Sequence, residues 1–135
     1  MRPASIVQFE RLYLAALAVS LCDQLLGWNT VMAAMRANPA VAQLGAAFVV
    51  VGLVIVYGML LALWYFAARR RSVIAKWAIA AWFVYTMVTT ALAVFRAGLH
   101  FNLGVAIGVV SFLLLGWAVS YLFKPDADQW FASRQ

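Results

Sequence analysis

Asp23 lies within the run LYLAALAVSLCDQLLGW, whose other residues carry no charge. A carboxylate in such surroundings is costly unless it faces a protein interior, a partner or water. Two kinds of chemistry fit it. One is reversible holding of a proton or a cation in a cavity; the other is a structural ion pair or hydrogen bond that fixes how two helices pack, with Arg96 or His100 as the partner within reach. Helical spacing gives the acid company. Tyr13, Ala16, Ser20, Asp23 and Gly27 follow at intervals of three and four, a small or polar stripe on one face, while Leu14, Leu17, Leu21 and Leu25 take another. Further along, Trp82, Tyr85, Thr86, Thr89 and Ala93 form a similar line leading to Arg96. The candidate intramembrane polar cluster is therefore Asp23, Arg96, His100, Ser20 and Thr89.

Other chemistries find too few residues. His100 is the one histidine, which excludes bis-histidine haem, and a zinc site would have to draw on His100, Asp23 and a badly placed Cys22. The same lone Cys22 excludes an intramolecular disulfide and a CxxC pair. Ser20, His100 and Asp23 are nominally a triad, but serine and aspartate share a helix face and no oxyanion-stabilising loop accompanies them. No catalytic residue, cofactor or metal is expected, and the chain does not read as an enzyme.

The elements that must position Asp23 follow from composition. Of the 135 residues, 67% are hydrophobic and 10% charged, with a mean hydropathy of +0.95. So short a chain cannot cover that much apolar surface against water, so lipid must solvate it. Four stretches suit membrane spans, at approximately 8–28, 40–67, 76–96 and 101–123, leaving a tail at 124–135. The expected fold is an all-α, four-helix transmembrane bundle forming a single domain over 1–135. Asn38-Pro39 reads as N-cap and first residue of the second span. Asn29 to Asn38 reads as a short surface helix with Val31, Met32 and Met35 on one side, and Ala97 to Asn102 as a tight turn broken at Gly98. After Pro125, Asp126 and Asp128 stand at a helix start, with Trp130-Phe131 returning to the membrane interface. Glu10 in the basic start, and the lack of a small-residue cleavage site behind the first apolar run, argue against a cleaved signal peptide.

Charge gives direction. Of ten Lys and Arg, eight fall on the side shared by both termini: Arg2, Arg11, Arg69, Arg70, Arg71, Lys76, Lys124 and Arg134. Arg36 and Arg96 fall on the other. The positive-inside rule then puts both termini in the cytoplasm, with Arg69, Arg70, Arg71 and Lys76 as topogenic residues able to touch lipid headgroups. The net charge of +6 is thus an address for threading rather than a nucleic-acid footprint. Gly104 and Gly108, continued by Ser111, make a GxxxG face for close helix packing, and Gly45, Gly52 and Gly58 make a comparable one on the second span.

The segments RPASIVQFERLYL, ARRRSVIAKW and YLFKPDADQWF resemble those of an uncharacterised group of small four-span inner-membrane proteins of Gram-negative bacteria. That resemblance covers most of the chain, rests on topological motifs, and implies a bacterial inner membrane. A narrower one, carried by Asp23, is to small multidrug resistance transporters, which are four-span dimers with an acid in span one. Their acid is a mid-span glutamate and their connections are short; here it is an aspartate near the span end, followed by a longer connection. The function expected is an accessory or interaction subunit of a membrane complex, with membrane lipids and either a membrane-protein partner or a second copy as partners. The alternative is a small proton-coupled transporter of cationic or lipophilic solutes that uses Asp23.

Overall fold

The computed structural model of the chain describes residues 3–97 and 103–132. Among them there are no strands. The elements are α1 (Ala4–Leu26), α2 (Trp28–Ala37), α3 (Gly45–Ala68), α4 (Val73–Ala97), α5 (Leu103–Leu122) and α6 (Pro125–Ala132), with a 3-10 turn at Ala42–Leu44 before α3. Helices α1, α3, α4 and α5 are each long and apolar enough to cross a membrane, the pattern of a multi-pass membrane protein. They run alternately up and down and close a ring in the order α1, α3, α4, α5, with the α1–α5 seam the most extensive.

The boundaries follow local chemistry. Asn38 does not cap the second long helix as its sequence suggests; it ends α2 in an extended conformation, φ −99° and ψ 107°, as the residue before a proline is pushed to do. Its Oδ1 accepts the Ala40 N–H at 3.1 Å, making an Asx turn. Helix α3 then starts only at Gly45, whose φ of 68° and ψ of −177° belong to a region that glycine alone takes readily. At the other end of α3, the turn into α4 places Arg71 at φ 53°. Ser72 then caps α4, its Oγ accepting the Ala75 N–H at 3.3 Å.

The core is concentrated at one end of the bundle. Ile6, Phe9 and Tyr13 of α1 meet Ala67 and Ala68 of α3, Ile79 of α4 and Leu122 of α5, all buried. Alanines on α3 and α4 let those helices come close to the large side chains of α1. Helix α6 caps this layer. Its Phe131 and Ala127 turn into the core, while Lys76 and Ser5 bind its two aspartates and hold the helix across the bundle end. We call this the sealed end. Toward the other end, the open end, the buried apolar residues among those described are Ala16, Met35 and Leu60. The expected turn around Gly98, and His100 with it, lie outside the described residues.

Candidate functional site

Asp23 sits near the open end of α1, one turn beyond Ser20. The antiparallel α5 brings Gly108 and Ser111 alongside, and α4 brings Thr86 and Thr90; together they enclose a cavity of about 180 Å³. On its other side the carboxylate borders a second cavity, of about 380 Å³, with Gly27, Thr30, Gly104 and Ile107. Gly108 borders the acid: a Cβ there would lie in ordinary contact, 4.0 Å from Asp23 Oδ2.

Two of the hydroxyls around Asp23 have spent their protons on backbone carbonyls, and a third shares a bond with another hydroxyl. Ser111 Oγ donates to the Ala16 carbonyl at 3.1 Å, tying α5 to α1 across the seam. Thr86 Oγ1 donates to the Phe83 carbonyl of its own helix at 2.8 Å. Ser20 Oγ and Tyr57 Oη share a hydrogen bond of 2.9 Å between α1 and α3. What Ser111 and Thr86 offer the cavity is therefore lone pairs. Beside a carboxylate, they make an environment that takes hydrogen-bond donors and cations rather than anions.

Several expected residues are placed differently. Thr89 is exposed, and its hydroxyl donates within its own helix, to the Tyr85 carbonyl at 3.0 Å and the Thr86 carbonyl at 3.1 Å. Tyr85 is exposed as well. The inward line of α4 runs through Lys76, Ile79, Phe83 and Thr86, and one turn on the exposed Thr90 also lines the cavity beside Asp23, so the polar residues of α4 next to the acid are Thr86 and Thr90. The Arg96 side chain and His100 lie outside the described residues. Gly108 and Ser111 act within the chain, at the α1–α5 seam. Gly116 packs closely at a different seam, between α5 and α4: a Cβ there would come within 3.1 Å of Phe83 Cζ. By contrast Gly52 and Gly58 meet nothing within 4 Å. Among the described residues no group of three or more His, Cys, Asp or Glu could hold a metal ion.

Several basic residues at the sealed end have partners within the protein. Arg69 pairs with Glu10 at 3.1 Å. Arg71 places its guanidinium carbon 4.0 Å from the centroid of the Trp130 ring. Lys76, expected to face headgroups, is instead buried in an ion pair with Asp128, its Nζ 4.5 Å from the Phe123 ring centroid. Arg70 is exposed.

Sequence periodicity alone passes over Tyr57 and names Trp82 only within the α4 line leading to Arg96. Tyr57 lies in a helix apolar all round, where nothing marks the inward face. Both line the largest cavity, of about 540 Å³, which is separate from the Asp23 cavities but shares Ser20 with the smaller of them. No protein-family model, curated protein or solved structure matches the chain. Its class is therefore defined by fold and site: a helical protein with four helices apolar and long enough to cross a membrane, closed at one end and with cavities beside Asp23 toward the other.

Proposed function

We propose that the chain is a non-catalytic accessory or interaction subunit of a membrane complex in the bacterial inner membrane, with both termini cytoplasmic. The orientation is supported by charge: Arg11, Arg69, Arg70, Arg71, Lys76 and Lys124 all belong to the sealed end, whereas Arg36 belongs to the open end. One observation carries the subunit reading. Helix α3 is the least covered of the four long helices, and its outward line Val51, Ile55, Gly58 and Ala62 is exposed, with Gly58 meeting nothing within 4 Å. Small residues on a membrane helix allow a neighbouring backbone to approach closely. A helix of a partner protein fits that line. Purification in mild detergent followed by native mass spectrometry tests it. The expected result is a defined heteromeric partner that Gly58→Leu displaces; a monomer unaffected by that change overturns the reading.

The meeting of two cavities at Asp23 favours a second reading, a small proton-coupled carrier of cationic or lipophilic solutes. A carboxylate facing lone pairs takes up a proton or a cation and releases it when the other arrives. Reconstituted vesicles under a pH gradient provide the assay. Asp23→Asn abolishes solute movement while leaving the helical spectrum intact under this reading, and undiminished movement in the Asp23→Asn variant would refute it.

A further inference from the structure

We infer that the largest cavity, about 540 Å³ between α1, α2, α3 and Trp82 of α4, is a binding site for an uncharged lipophile bearing a carbonyl oxygen. The cavity has a size that small-molecule and lipid-like ligands occupy. Three helices and the Trp82 ring line it. Its floor is Leu60, buried and held by the Tyr13 hydroxyl on its carbonyl at 3.1 Å. Its roof is α2, which turns Val31 and Met35 inward, and Gly27 supplies the break that folds α2 back over α1. One wall is the α3 line Val49, Leu53 and Val56, at helical spacing on a single face; Ser20 and Gln24 of α1, one turn apart, face it.

The chemistry of that lining selects the ligand. It contains no Asp, Glu, Lys, Arg or His, so a charged molecule would lose its hydration without gaining a counter-charge. Its polar groups carry surplus donors. Whichever hydroxyl donates within the Ser20–Tyr57 pair, the other keeps its proton for a third partner, and the Gln24 amide brings two more N–H groups. An oxygen acceptor without charge answers both conditions, and the apolar wall of α3 with the flat Trp82 ring answers an apolar body. The site is independent of the roles proposed for Gly58 and Asp23.

Photolabelling of the full chain in lipid nanodiscs tests the site, using a diazirine-bearing monoacylglycerol and the matching fatty acid at pH 8, with labelled peptides read by mass spectrometry. The expected result is saturable labelling of residues 49–60 and of Trp82 by the neutral probe, at least about tenfold above that by the charged one. Gly52→Phe projects a ring into the cavity at a position where a Cβ meets nothing, and lowers labelling about tenfold. Gln24→Leu keeps the shape, removes the donors, and lowers it roughly three- to tenfold. Competition then tells the source: unlabelled monoacylglycerol displacing the probe points to a bilayer lipid ester, and a short-chain benzoquinone displacing it points to a quinone-type ligand. Displacement by neither overturns the site. So does labelling spread evenly over the outer faces of α3, α4 and α5, or labelling indifferent to both substitutions.

Discussion

The Lys76 ammonium of α4 is ion-paired with the Asp128 carboxylate of α6, 52 residues further along, with the lysine buried and the aspartate largely exposed. The pair joins the start of one long helix to the short helix that closes the bundle. Because the lysine is the desolvated partner, the two residues are not equivalent.

Removing the acid alone leaves a buried ammonium against the faces of Phe123 and Phe131. Asp128→Ala is expected to cost about 1–2 kcal/mol, below the range for fully buried pairs because water already screens the carboxylate. Lys76→Met combined with Asp128→Ala should cost less than Asp128→Ala alone, since no charge is left in the core. Unfolding by SDS titration from mixed micelles, followed by circular dichroism, reads the difference; a double variant less stable than the single one contradicts it.

Hydrogen bonding by Ser5, with the amides of Asp126 and Ala127 behind it, holds the Asp126 carboxyl below its usual value of 3.8. A carboxyl whose pKa is lowered by folding stabilises the folded state above its unfolded pKa, and that contribution is lost as pH falls through the folded one. Helix α6 should therefore stay docked at neutral pH and loosen as the pH drops below 3.8. Hydrogen exchange of residues 125–132 across pH 7 to 3, corrected for intrinsic rates, follows this, and Asp126→Asn should flatten that part of the profile.

Two glycines on long helices should respond oppositely to alanine. Gly116→Ala puts a methyl 3.1 Å from Phe83 Cζ, and Phe83 is itself stacked on Phe112 at 5.1 Å, so it has little room to yield. A cost of about 1–3 kcal/mol follows. Gly58→Ala meets no atom and should be neutral or slightly stabilising for the chain by itself, through helix propensity of about 0.5–1 kcal/mol. Thermal melting in one detergent compares the pair directly.

Tyr13→Phe removes the hydroxyl that donates to the Leu60 carbonyl and leaves the ring against Phe9, 5.2 Å away between centroids. The expected loss is about 0.5–1.5 kcal/mol, since the carbonyl remains within the ladder of α3. A larger loss in the same SDS titration would mean that the bond also holds α3 in place.

What could be read beforehand depended on whether polarity marked a face. Four long helices followed from apolar length alone, and the inward stripe of α1 followed from Tyr13, Ser20 and Asp23, whose polar atoms are cheaper inside a protein than in hydrocarbon. The surface helix at Asn29 to Asn38 was legible from its mixed composition, and α2 spans Trp28–Ala37 with Met35 buried. Helix α4 misled, because threonines at 86, 89 and 90 offer two overlapping lines, and only the packing of Ile79 and Phe83 toward the bundle interior selects Thr86 and Thr90 over Thr89.

Helix number, span length and the charge difference between the two sides were thus set by the order of residues along the chain, since each is a sum over residues that needs no neighbours. Only the folded bundle decided which face of α3 lines a cavity, why Gly116 is crowded while Gly58 is open, and that Lys76 is buried rather than at a headgroup. The physical reason is common to all three. Lipid tails are as apolar as leucine, so a membrane helix that is apolar all round carries no compositional sign of which side meets protein, and a lysine's destination depends on an aspartate that only folding brings to it.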